Sequence, residues 1–193
     1  MALYQRTSGE SRSRTAALDD RLLGNASNVQ ETCRNKLLPQ SLGIFVWRAK
    51  RKRLPVRVEL SNRGIDLDSV CCPMCDDGVE SLDHTLPLCR YAYEVWDNVY
   101  RWCGLGDFSN ISVNELFNGD GANSRCVEGK SLWQAIEWVC GYLIWKNRND
   151  KVFNNSSRSC ANLLNDIQVK SFEWISKKKK KKKKQRLLSG TNG

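Results

Sequence analysis

The sequence predicts a mostly α-helical protein, with short helices on either side of a cysteine-rich loop and two longer packed helices after it. Three observations lead to this fold class. Apolar residues recur at helical spacing before and after residues 72–89. That segment concentrates cysteines around the chain's only histidine, and no stretch shows the alternation of polar and apolar residues that is typical of a strand. Helices joined through a small irregular centre are the arrangement that these patterns favour.

The chain before the loop begins with a polar segment. Residues 1–27 are rich in serine, arginine, asparagine and glycine, and their lack of an apolar period predicts disorder. A short helix over residues 29–38 is predicted to end at Pro39. The next helix ends before Pro55, and its apolar stripe at i, i+3, i+4 and i+7 is formed by Leu42, Phe45, Val46 and Ala49.

A further short helix is predicted directly after Pro55. Val56 and Leu60 are expected to face the interior. The sequence Asn62-Arg63-Gly64 closes this helix, because glycine readily adopts the left-handed conformation that helix C-termini favour. The chain then enters the cysteine-rich loop.

Potential metal ligands are concentrated in residues 72–89. The spacing is C-x2-C, then eight residues, then H-x4-C, and it defines the set Cys72, Cys75, His84 and Cys89. Three thiolates and one imidazole are a common closed tetrahedral set for structural Zn²⁺, with no open position for a catalytic water. We therefore expect a zinc-stapled loop whose metal contributes folding energy. The alternative interpretation is three reduced thiols and a surface imidazole.

The first ligand has a competitor in the preceding residue. Cys71 and Cys75 are separated by three residues, which also lies within the range that zinc sites use. Cys72 is preferred because C-x2-C suits a tight turn through Pro73 and Met74. Spacing alone leaves Cys71 as an alternative.

The chain after the loop returns to helical periodicity. A broad apolar stripe over residues 92–103 predicts a helix that Gly104 ends. Ser112 and Glu115 have the spacing of a capping box, so a short helix is expected up to residue 117. Five tryptophans at helical spacing are assigned to the core rather than to base stacking: Trp96, Trp102, Trp133, Trp138 and Trp145.

Two longer helices are predicted at the C-terminal end. The first covers residues 131–153, and the second begins near Cys160 and carries apolar residues as far as Ile175, with its continuation into the lysines left as an alternative. Eight consecutive lysines, 177–184, are expected to fray because adjacent like charges repel. The predicted organisation is a disordered segment, a zinc-binding domain, a linker, a helical segment and a basic disordered tail, at residues 1–27, 28–117, 118–130, 131–176 and 177–193.

Charge and cysteine content limit the classes of function. Removing the eight positive charges of the lysine run from the net charge of +10 leaves +2, so the remainder is nearly balanced. Nine cysteines, an odd number, without an N-terminal signal peptide indicate a reducing compartment. No stretch approaches the ~20 apolar residues of a membrane span. We expect an intracellular protein of the nucleus or cytoplasm, not secreted, without a membrane or a small-molecule substrate as partner.

A cluster of basic residues lies just before the loop and beside Trp47. Such a cluster at helical spacing can meet phosphates, and it makes RNA or DNA a candidate partner. The alternatives are a solvated helix face, or a nuclear import signal over residues 50–53. The lysine tail is a second candidate contact. The candidate nucleic-acid-binding residues of the cluster are Arg48, Lys50, Arg51, Lys52, Arg53 and Arg57.

Several motifs occur here in a fixed order. They are Phe45-Val46-Trp47-Arg48-Ala49, Arg53-Leu54-Pro55, Arg63-Gly64-Ile65, Cys72-x2-Cys75, Glu80-Ser81-x2-His84, Cys89 and Val95-Trp96. Over residues 36–103 the chain resembles the reverse-transcriptase zinc-binding domain of plant LINE-type (non-LTR) retrotransposon polyproteins. The tract Leu132–Asn149 is similar to the helical segment that follows this domain. The resemblance implies Cys72 rather than Cys71 as the first ligand.

The sequence departs from this family in two places. Val56 stands where the family usually has threonine, which removes a potential N-cap hydroxyl worth about 1 kcal/mol of helix stability. The run of lysines is not a family feature. We expect this run to be the translation of an A-rich tract.

Polymerase chemistry needs paired carboxylates that hold two magnesium ions. Asp19-Asp20 lacks the aromatic residue of the polymerase motif, and Asp76-Asp77 lies inside the loop. We therefore expect the chain to be non-catalytic by itself. The predicted function is a zinc-binding module with accessory nucleic-acid binding. The alternative is a structural or protein-interaction module, or an inactive retroelement remnant, with purely structural zinc.

Overall fold

The computed structural model describes residues 35–109, 111–118 and 127–189. In these ranges it contains seven helical segments and no strand, apart from one isolated bridge between Cys71 and Val79. The predicted N-terminal disorder and most of the predicted helix over 29–38 lie outside the described residues. The segments are α1 (Gln40–Lys50), α2 (Arg57–Ser61), a π-helix (His84–Leu88), α3 (Arg90–Trp102), α4 (Val113–Leu116), α5 (Val127–Asn154) and α6 (Cys160–Ser189).

The mostly α fold class is confirmed, including the two longer helices. These are α5 and α6, which pack against each other. Helix α6 also packs against α3. The predicted apolar stripe of α1 is buried, with Val46 and Ala49 fully inaccessible. Burying that stripe supplies most of the stability of such a short helix, because isolated helices of this length are marginal in water.

The first helix ends earlier than its basic composition suggests. Helix α1 stops at Lys50, and residues 51–53 form a turn instead of further helix. Lys52 has a φ of 51°, a left-handed value that interrupts the helix. The three basic residues at positions 51, 52 and 53 therefore lie on a turn, and the prediction that the first helix continues through them towards Pro55 is wrong.

Four of the five predicted core tryptophans are buried, and one is not. Trp96 is completely buried and stacks on Phe108, with ring centroids 5.7 Å apart and an interplanar angle of 19°. Trp102 is 44 % exposed. It is the last residue of α3, whose buried residues all lie in the earlier turns. The other three tryptophans are buried on α5.

Helix α5 organises the described part of the chain. It contacts α1, α3, α6 and the π-helix. Gly141 permits the close approach of Phe117, the residue that follows α4, because a Cβ at position 141 would lie 2.6 Å from the Phe117 ring. The segment that carries the potential metal ligands is thus packed against a long, largely buried helix.

Two local predictions are confirmed at the helix ends. Ser112 and Glu115 form the predicted capping box, and their hydrogen bonds lower the pKa of Glu115. Gly64 has a φ of 77°, and the next amide, of Ile65, donates to the Leu60 carbonyl at 3.1 Å.

The last helix continues into the lysines, which is the alternative that the sequence leaves open. Helix α6 runs through the lysines to Ser189, although residues from 177 onward are predicted to fray and to form a disordered tail. Lysine is a good helix former, and no proline or glycine occurs between Cys160 and Ser189, so nothing in the local sequence ends a helix that is already started. None of the described helices has a stretch long and apolar enough to span a bilayer.

Candidate metal centre

The structure brings the predicted ligand set together at one point. The ligand atoms of Cys72, Cys75, His84 and Cys89 all lie within 4.8 Å of one another. The two sulfurs of Cys72 and Cys89 are 3.8 Å apart, and the Cys75 sulfur is 3.3 Å from His84 Nε2. A tetrahedral zinc ion requires edges of about 3.8 Å between sulfurs and about 3.5 Å between sulfur and nitrogen, from its bond lengths of about 2.3 and 2.0 Å. The donor set and its spacing therefore fit Zn²⁺.

The first two ligands are placed by a tight turn. The Cys72 amide donates to the Gly78 carbonyl at 2.6 Å, and the Asp76 amide donates to the Cys72 carbonyl at 2.9 Å. Asp76 has a φ of 55°, which reverses the chain after Cys75. Aspartate tolerates this left-handed conformation better than most residues do. The turn directs both cysteine side chains to the same side.

The last two ligands are placed by the π-helix. The Cys89 amide donates to the His84 carbonyl at 2.6 Å, a hydrogen bond across five residues instead of the usual four. This wider turn brings His84 and Cys89 to one side although they are five positions apart. The Ser81 hydroxyl accepts the His84 amide at 3.1 Å and fixes the start of the turn.

Cys89 is also the N-cap residue of α3. The hydrogen bond from Cys72 and the backbone amides of Tyr91 and Ala92 lower the pKa of Cys89, against the effect of burial. The same hydrogen bond, followed by burial, raises the pKa of Cys72. Zinc would bind both sulfurs as thiolates, so its binding would release protons from this pair.

His84 is held in the form that binds a metal. Burial lowers its pKa, and the charges of Glu80 and Asp77 only partly oppose this effect. Burial therefore favours the neutral imidazole, which is the form that binds a metal.

Cys71 lies outside this cluster. It is exposed, and its carbonyl accepts a hydrogen bond from Arg57 Nη1 at 2.6 Å. The bridge to Val79 places it on the strand-like edge of the turn, so its side chain faces away from that of Cys72. The structure groups Cys72, not Cys71, with the other ligands.

Gly78 supports the site, and the sequence alone does not single it out. A Cβ at this position would lie 2.9 Å from His84 Cε1 and 3.3 Å from Nδ1. We expect Gly78→Ala to displace the imidazole and weaken zinc binding about 10- to 100-fold, as changes next to ligands commonly do. Competition with a chromophoric chelator measures this affinity. The neighbouring Val79→Ala is the control, because Val79 is 55 % exposed; equal affinity of the two variants would contradict the role of Gly78.

A buried ion pair connects the metal loop to α5. The Glu80 side chain is fully buried, and its two oxygens accept hydrogen bonds from Arg148 Nε and Nη2 at 2.6 and 2.5 Å. Glu80 Oε2 also accepts the Arg57 amide at the start of α2, at 2.9 Å. The Arg148 guanidinium lies over the Trp145 ring, 5.0 Å from its centroid. One carboxylate therefore joins the loop to both helices.

Sequence reasoning does not predict this pairing. Glu80 and Arg148 are 68 positions apart, and each occurs in the resemblance only as part of a local motif. The available signal is the charge of Arg148 itself, which is one of several charged residues in α5. That signal does not identify the partner.

The six candidate nucleic-acid-binding residues differ in their exposure and in their hydrogen bonds. Lys50 Nζ donates to Asn118 Oδ1 at 2.6 Å, and Arg57 donates to the Cys71 carbonyl. Arg48, Lys50 and Arg57 are half-buried, whereas Arg51, Lys52 and Arg53 are exposed. The exposed part of the cluster is therefore the turn after α1.

Comparison with known proteins gives a match to a protein family. No curated protein and no solved structure matches this chain. The matching model is that of a family described as zinc-binding in reverse transcriptase, and it covers residues 19–96. Residues 19–96, which carry all four clustered ligands, are therefore similar to a reverse-transcriptase zinc-binding domain.

Proposed function

We propose that this chain is a zinc-binding module in which the ion has a structural role. The observation that carries the proposal is the closed set of four ligands, two of them fully buried, at the distances of a zinc tetrahedron. A metal with four protein ligands has no position for a substrate or a catalytic water. The residues would hold the ion and, through it, fix the loop between α2 and α3.

We infer that the module is non-catalytic by itself and serves reverse transcription as an accessory. The family match supports this role, and the ordered motifs of residues 36–103 support an origin in a LINE-type retrotransposon of plants. The accessory activity we propose is binding to RNA or DNA. Its support is the exposed basic turn of residues 51–53, and the lysine run provides a second basic segment.

Binding of RNA by the full-length chain tests the proposed activity. The lysine run alone can bind polyanions, so Lys177–Lys184 are replaced with glutamine, which keeps helix propensity and removes the charge. We expect this variant to retain salt-dependent binding to a single-stranded RNA, with weaker affinity and a smaller salt slope than the parent chain. Fluorescence anisotropy over a series of salt concentrations measures both quantities.

The eight-glutamine variant also distinguishes the alternative. Complete loss of binding would show that the folded part does not contact RNA, and would favour a purely structural or protein-interaction module. Binding that persists but is independent of salt would contradict recognition through phosphates.

A further inference from the structure

The turn after α1 has the hydrogen bonds of a Schellman motif. The Lys52 amide donates to the Ala49 carbonyl at 2.9 Å, and the Arg53 amide donates to the Arg48 carbonyl at 2.8 Å. This motif places one residue, here Lys52, in the left-handed conformation, with a φ of 51°. Glycine is the usual residue at that position because it has no Cβ. The chain thus carries a lysine where backbone stability favours glycine.

The side chains on either side of Lys52 are ordered by one aromatic ring. The guanidinium carbons of Arg51 and Arg53 lie 5.7 and 5.4 Å from the centroid of the Trp47 ring. Both distances are within the range of a cation–π interaction. Trp47 is half-buried on α1, so its ring is a fixed platform for these two exposed side chains.

A stacked guanidinium retains its binding capacity. Its face lies on the ring while its N–H groups point outward in the plane, and that fork matches the oxygens of a phosphate. Because the platform limits the conformations of both arginines, they lose less entropy when they bind. Three exposed cations on one turn, two of them pre-ordered, suit a backbone that carries regularly spaced phosphates.

We propose that Trp47 and residues 51–53 form a phosphate clamp for the backbone of a single nucleic-acid strand. Arg51 and Arg53 contact phosphates, Lys52 supplies a third cation, and Trp47 is a positioning residue that acts through the arginines. This proposal rests on nucleic-acid binding by the folded part of the chain. It assigns that binding to three of the six basic candidates and adds Trp47, which is not among them.

The test uses the full-length chain in its eight-glutamine form and a 20-nucleotide oligouridylate, which offers phosphates without a base sequence to read. Arg51→Gln/Arg53→Gln is expected to lower the salt slope by about 1.4, since each single-strand phosphate contact contributes about 0.7. Trp47→Leu is expected to lower affinity about threefold and to leave the slope unchanged, because the charges remain. The triple variant, with Trp47→Leu added to the double arginine variant, should have the same RNA affinity and the same salt slope as the double variant.

Lys52→Gly separates the clamp from a purely structural role. Basic residues at a helix C-terminus also stabilise the helix dipole. If that were the main role of Lys52, the glycine variant would have a lower melting temperature and unchanged RNA affinity, and the clamp would be overturned. We expect the reverse, a melting temperature that is equal or higher, together with weaker binding and a smaller salt slope.

Arg63→Gln is the matched control, since Arg63 is exposed and lies outside the turn. It should bind as the parent does. Equal binding by the control and the double arginine variant would overturn the clamp while nucleic-acid binding itself stands. No binding by the eight-glutamine chain would overturn both the clamp and the proposed activity. Metal content and circular dichroism of each variant confirm that it is folded.

Discussion

Replacing Cys72 with serine is expected to abolish stoichiometric zinc binding, whereas replacing Cys71 with serine leaves it intact. Cys72 is fully buried with its sulfur 3.8 Å from that of Cys89, while Cys71 is exposed and outside the cluster. A serine hydroxyl at position 72 would not replace the thiolate as a zinc ligand. The adjacent cysteine is an unusually close control, because the two variants have the same composition.

The loss of zinc should also lower stability. Structural zinc contributes about 10–16 kcal/mol in zinc-finger peptides that have almost no core. Here the helices keep an apolar core, so we expect the loss of zinc to reduce the free energy of unfolding by only part of that amount. The unfolding should be concentrated in residues 70–89. Mass spectrometry of metal content and thermal melts followed by circular dichroism, with and without EDTA, measure the effect. An unchanged melting temperature in EDTA, or metal loss in the Cys71 variant, would contradict the assignment.

The second large effect is expected at the buried ion pair. Arg148→Met leaves the Glu80 carboxylate buried without its charge partner, and we expect unfolding to become easier by about 3–5 kcal/mol. The side chains are 4 % and 0 % exposed, so water cannot replace the lost hydrogen bonds. Urea denaturation with the metal bound measures the change in free energy.

Two further variants make this measurement specific. Glu80→Gln/Arg148→Met removes both charges and keeps an amide oxygen that can accept the Arg57 amide, so it should be more stable than Arg148→Met alone. Arg158→Met breaks the ion pair of Arg158 with Asp166, whose side chains are 49 % and 35 % exposed. Its cost should be about 0–1 kcal/mol. Similar costs for Arg158→Met and Arg148→Met would contradict the importance of burial.

The basic cluster illustrates where sequence reasoning stops. Six basic residues near Trp47 are visible in the sequence, but their exposure is not. Lys50 and Arg57 bind acceptors from residues 118 and 71, contacts that no local pattern predicts. The left-handed conformation of Lys52 is equally hidden, because the position has a lysine where the usual signal is a glycine.

Local information was sufficient for the mostly helical character of the chain, the capping box and the spacing of the four ligands, but not for where α1 and α6 end. Apolar periodicity, capping residues and ligand intervals all act over a few residues, so the sequence by itself determined a mostly α chain with a Cys3His loop. Only the tertiary structure decided that Glu80 pairs with Arg148, that Gly78 makes room for His84, and that Trp102 stays exposed. Each of these depends on which groups meet in the folded chain, and for the buried groups burial then sets the energy of the contact.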